Sequence, residues 1–68
     1  MEKVQITTEY IKLEQLMKFA GWVGSGSDAK ILIGEGNVKV NGSVEIQRGK
    51  KLRSGDMIEF EGKKIVIG

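Results

Sequence analysis

The spacing of apolar residues changes once along this chain. Near the start, Val4 and Ile6 alternate with polar neighbours, which suits a short strand. Leu13, Leu16, Met17 and Ala20 then fall at i, i+3, i+4 and i+7, the stripe of a helix from about Lys12 to Ala20. Glu14 in its first turn suits the helix dipole, and Gly21 can take the left-handed position after its last turn. No side chain at its start is a convincing cap. A second helix is expected from about Gly26 to Glu35, with Ser25 as N-cap and Asp28 as the short variant of a capping-box partner. Ala29, Leu32, Ile33 and Gly36 share one face, while Ile31 lies off that stripe, placed to meet the first helix or the sheet. Gly34 lowers helix propensity by about 1 kcal/mol relative to Ala. Close approach of another backbone would be a reason to keep it.

From Val38 the period is two. Val38 and Val40 alternate with polar residues, and Asn41-Gly42 is a strong signal for a hairpin with a type I′ turn. Val44 and Ile46 continue the alternation on the return strand. Gln47–Lys51 reads as a polar basic loop, and Ser54-Gly55-Asp56 as a turn. Met57, Ile58 and Phe60 form a strand, Glu61-Gly62-Lys63 turns it, and Ile65–Ile67 closes the sheet. The expected fold is therefore α+β: two short helices packed on a small antiparallel sheet.

Composition narrows the chemistry. At 68 residues the chain is read as a single domain, 1–68. A domain of this size buries roughly 60% of its unfolded surface, so a deep pocket for a small-molecule substrate is not expected. There is no cysteine and no histidine, which removes thiolate chemistry, the usual general base and the usual metal ligand. No apolar run approaches the roughly 20 residues of a membrane span, and no signal peptide is seen. The expectation is a cytoplasmic, metal-free, cofactor-free monomer. Charge is unevenly placed. Residues 1–36 carry four lysines against five acids, whereas residues 37–68 carry seven Lys and Arg against four acids. Four of those seven lie within Arg48–Arg53, which suits a polyanion partner.

Gly24-Ser25-Gly26-Ser27-Asp28-Ala29 fits a loose G-x-G-x-x-A. A dinucleotide fingerprint must follow a strand and open a βαβ unit, whereas this one follows a helix; a P-loop would need Gly-Lys-Ser/Thr. It reads better as the corner between two helices, whose second helix still presents free N–H groups at its start.

The helix IKLEQLMKFAG, the serine-capped GSGSDAKILIGEG, then VKVNG and LRSGDMIEF together resemble the S-four RNA-binding domain, or αL motif, over roughly residues 11–60. The stretches Leu13–Trp22 and Gly36–Val40 are most similar to its stand-alone bacterial YaaA/YbcJ-like subfamily. The resemblance implies a non-catalytic domain for structured RNA, first of all ribosomal RNA or a ribosome-assembly particle. It implicates Ser25, Ser27 and Lys30 on the second helix and Lys39 and Asn41 on the hairpin, with Arg48, Lys50, Lys51 and Arg53 as flanking cations. Many members carry arginine where this chain has Gly26, so its front edge is less basic. The plain alternatives are that Ser25 is a cap, Asn41 a turn residue, Lys30 a helix ion-pair partner, and the loop cations a solvated face. Tyr10, Phe19 and Trp22 are candidates for base stacking, with Trp22 better suited to cover the helix corner. No interleaved row of aromatics is present, so recognition of backbone and shape is expected. The alternative function is a protein-interaction module without RNA contact, docking through an apolar corner around Phe19, Trp22 and Val23.

Overall fold

The structure is a computed structural model and describes residues 2–68. The first apolar stripe forms α1 (Leu13–Phe19), burying Leu13, Leu16 and Met17 completely. Its start is satisfied without a conventional cap. The Gln15 side-chain oxygen accepts the Lys12 N–H at 3.1 Å. The carbonyls of Lys50 and Arg48 accept the N–H groups of Leu13 and Glu14 at 2.9 and 3.0 Å. Donors that a helix normally leaves orphaned are thus met by a loop far along the chain. After Ala20, Gly21 takes φ +76°, and the Trp22 and Gly21 N–H groups close back on Met17 and Lys18 carbonyls. This is a Schellman stop, and glycine takes its left-handed position without strain.

Ser25 caps α2 (Gly26–Gly34), its hydroxyl accepting the Asp28 N–H at 3.2 Å. Ala29 and Ile33 are buried and Leu32 partly so. Ile31 meets neither helix nor sheet: it is 58% exposed. Three consecutive apolar residues cover about 200° of a helix at 3.6 residues per turn, more than one buried face. Gly34 differs from expectation too. A methyl group there would have nothing within 4 Å, so no backbone approaches it.

Five strands form the main sheet: β1 (Glu2–Val4), β3 (Val38–Val40), β4 (Ser43–Val44), β6 (Met57–Phe60) and β7 (Lys63–Ile67), in the order β1-β7-β6-β3-β4. All pairs are antiparallel except β1 with β7, which is parallel. Alternation shows that a segment is a strand but not which way its partner runs. Asn41 (φ +52°) and Gly42 (φ +86°) form the turn between β3 and β4, as a type I′ hairpin requires. The return strand stops early. The Glu45 carboxylate accepts the Gln47 N–H at 3.1 Å and bends the chain off the sheet, leaving Ile46 exposed. The basic loop ends in a strand missed by periodicity, since β5 (Lys51–Leu52) begins at its last residue and pairs antiparallel with β2 (Ile11–Lys12) in a separate ribbon.

The inward residues Val38, Val40, Ile58, Phe60, Ile65 and Ile67 pack with Leu13, Leu16, Met17, Ala29, Ile33 and Leu52 in one core. Trp22 lies over Phe60 with ring centroids 5.6 Å apart, so it covers the corner. The fold class is the expected α+β, two helices on a sheet.

Candidate nucleic-acid interface

The short connection from Trp22 to Ser25 brings the start of α2 beside α1. A methyl group on Gly26 would lie 4.0 Å from both the Glu14 Oε2 and the Lys18 Nζ atoms. The neighbouring helix thus places a cation, Lys18, and a carboxylate, Glu14, equally close to position 26. Glu14 Oε2 also lies 3.8 Å from Arg48 Nε, the only ion pair among the described residues. Arg48 is carried there because its own carbonyl holds the start of α1. Both partners are solvent-accessible, so the pair contributes little stability and leaves most of the guanidinium free.

Beyond that pair, α2 and the 46–49 segment border a shallow, open groove lined by Lys30, Gly34, Ile46, Gln47, Arg48 and Gly49. Methyl groups on Gly34 or Gly49 would meet nothing within 4 Å. Two side-chain-free positions thus leave open space between two cations. Lys30 has no carboxylate partner among the described residues. Such a groove admits a phosphate backbone, with charge-assisted contacts available from both sides.

The far end of the basic segment is held by Asp56. Its carboxylate accepts the Arg53 N–H at 2.8 Å and the Asn41 amide N–H at 3.0 Å. The Asn41 side-chain oxygen in turn accepts the Met57 N–H at 2.9 Å. Burial works against the charged form of Asp56, but the Arg53 N–H, the Asn41 amide and the positive charges of Lys50 and Arg53 outweigh it. The carboxyl is held below the usual aspartate range. The hairpin tip and the turn before β6 are fastened as one unit. Between these ends, Lys51 Nζ lies 4.9 Å and Arg53 Cζ 5.8 Å from the centre of the Tyr10 ring.

Not all nine residues singled out in the sequence come together. Lys30 and Arg48 share the groove, while Lys50, Lys51 and Arg53 continue along the same segment toward Asp56 and Tyr10. Ser25 uses its hydroxyl as a cap, and Ser27 is exposed on α2. Asn41 spends its amide on the sheet turn. Lys39 stands apart. Val38 and Val40 point into the core, so the register turns Lys39 to the opposite face of the sheet, across from Glu59. Lys18 was not singled out as a candidate, although it is the lysine of the Leu13–Trp22 stretch and sits one helical turn after Glu14.

The model of the S4 domain family matches residues 4–68. YbcJ of Escherichia coli (strain K12), named for RNA binding, is 40% identical over 58 residues, covering 85% of this chain and 83% of that protein. RlbA of Bacillus subtilis (strain 168), named a probable ribosome maturation protein, is 42% identical over 59 residues, covering 87% of this chain and 83% of its own length. The ribosomal large subunit pseudouridine synthase B of B. subtilis is 43% identical over 54 residues, 79% of this chain but only 22% of the enzyme. The solution structure of E. coli YbcJ, described as containing an αL motif involved in RNA binding, superposes with a TM-score of 0.73 at 35% identity, covering 98% of this chain and 86% of that one. The helix pair, the Asn-Gly hairpin and this match over nearly the whole sequence lead to one conclusion: the chain belongs to the S4 domain family.

Proposed function

We propose that this protein is a non-catalytic RNA-binding domain for structured RNA, with ribosomal RNA or a ribosome-assembly particle as its target. The observation that carries this reading is the open groove between α2 and the 46–49 segment, with Lys30 and Arg48 on its two sides, while Lys18 lies beside Gly26 at the start of α2. Lys50, Lys51 and Arg53 extend the positive surface along the same segment. Family membership, and relatives named for RNA binding and ribosome maturation, support RNA over other polyanions. In the pseudouridine synthase the similar region is a small part of an enzyme, consistent with binding being separable from chemistry. Among the described residues no group of His, Cys, Asp and Glu is arranged to hold a metal ion, and no helix is long and apolar enough to cross a membrane.

Binding is then mainly electrostatic. If about four phosphates are neutralised, the logarithm of affinity falls against the logarithm of salt with a slope of roughly −3. Titrating a ribosomal RNA fragment over a range of salt tests this. A flat response would remove the mechanism. Changing Lys18, Lys30 and Arg48 together to Ala should cut the slope by about 2–3 while the domain stays folded. Of the corner named for the protein-docking alternative, Phe19 is 71% exposed while Trp22 and Val23 are partly buried against the core; Ile31 is a further exposed apolar side chain. Partners retained after ribonuclease treatment of a pulldown would favour that alternative.

A further inference from the structure

A second surface lies on the other side of the basic segment. Lys12, Gln15 and Phe19 fall at i, i+3 and i+7, so they form one stripe along α1 and its first flanking residue. Facing them is the connection before β2, and the groove between is lined by Thr8, Tyr10 and Ile11. Phe19 is the most exposed large apolar side chain described, at 71%. Nothing in the fold requires an aromatic ring there.

The charge arrangement is equally unspent. Lys12 and Lys51 are directly opposite each other in the β2–β5 ribbon. Opposite residues of an antiparallel pair point to the same side, and like charges in that position repel. Neither lysine has a carboxylate within ion-pair distance among the described residues, although Glu9 lies at the groove. Arg53 and Lys51 are both held near Tyr10. The Gln15 oxygen caps Lys12, but its NH2 group has no partner among the described hydrogen bonds. An anion between Lys12 and Lys51 would relieve their repulsion. The stripe places a bare ring about 10 Å further along the helix axis. A base, its sugar and its phosphate span that interval together.

We propose that this groove takes one unpaired nucleotide of the bound RNA, its phosphate between Lys12 and Lys51 and its base stacked on Phe19. The inference rests on the RNA reading above and adds a second contact with a different preference. The groove beside α2 grips paired backbone; this one selects a strand end or bulge next to the stem. Aromatic stacking tolerates any base, so the preference is for an unpaired nucleotide rather than for a sequence.

The test uses two labelled probes, a blunt RNA stem and the same stem with a three-uridine overhang, measured by fluorescence anisotropy. The overhang should tighten binding about tenfold, in line with the contribution of one stacked base. Phe19→Ala and Phe19→Leu should abolish that advantage while leaving the blunt stem and the melting temperature unchanged. Phe19→Trp should keep it. Lys12→Ala should lower the salt slope for the overhang probe by about 1, with no change for the blunt stem. Equal binding of the two probes, or an advantage that survives Phe19→Ala, would overturn this inference alone. Failure of the wild type to bind either probe would remove the RNA reading and this one with it. Loss of ribonuclease-resistant protein partners in Phe19→Ala, without any overhang preference, would assign the groove to a protein and overturn the proposal.

Discussion

The two ends of the basic segment are fastened in opposite ways. At the Arg48 end, backbone carbonyls do the structural work by holding the start of α1, and the side chains of Arg48 and its neighbours are left to solvent. At the Arg53 end, polar side chains do it: Asp56 and Asn41 tie the hairpin tip to the turn before β6, and the cationic heads of Lys51 and Arg53 lie near the Tyr10 ring. The first arrangement lets cations be exchanged without loss of fold. The second couples the placement of the candidate cations to a side-chain clamp that also contributes to stability.

The largest stability effect should therefore come from the Asp56 end. Asp56→Ala strips partners from the Arg53 N–H and the Asn41 amide and should cost about 1–2 kcal/mol in chemical denaturation. Because the Asp56 carboxyl titrates below its ordinary value in the fold, its contribution is full above the unfolded aspartate pKa, near 3.9, and disappears as pH falls through the lower folded value. Denaturation midpoints of wild type and Asp56→Asn should converge over that acid range. Parallel curves would mean that the charge is not part of the clamp.

Gly34→Ala sharpens the contrast from the other side. Gly34 has no left-handed backbone and no neighbour that a methyl group would strike, so the change should stabilise by about 0.5–1 kcal/mol. It also puts a side chain into the proposed phosphate groove, and RNA affinity should fall as stability rises. Gains in both would show that the groove is not used. The smallest expected effect is on the stability of Arg48→Ala, below about 1 kcal/mol, since its partner Glu14 is solvent-accessible. Its loss should be visible in RNA binding instead.

Much of the framework was legible in the residues. The Leu13–Ala20 and Ala29–Ile33 stripes, the Ser25 cap and the Asn41-Gly42 turn each depend on neighbours within a few positions, and each is where it was expected. What escaped depends on distant partners. The β2–β5 ribbon has two residues per strand, too short to show alternation. The capping of α1 by Arg48 and Lys50 carbonyls joins segments more than thirty residues apart and leaves no trace in side-chain identity. Alternation also overran at Ile46, because a local Glu45–Gln47 hydrogen bond ended the strand first. For the candidate interface, residue types pointed to the segment Arg48–Arg53, but only geometry separates Lys39 from it and adds Lys18.

The parallel pairing of β1 with β7 has a mechanical consequence. Glu2 lies beside Ile65 and Val4 beside Ile67, so the chain leaves the domain in opposite directions along neighbouring strands. Tension applied through flanking segments would slide one strand past the other along their shared axis. The hydrogen bonds between them would be loaded together rather than peeled apart singly.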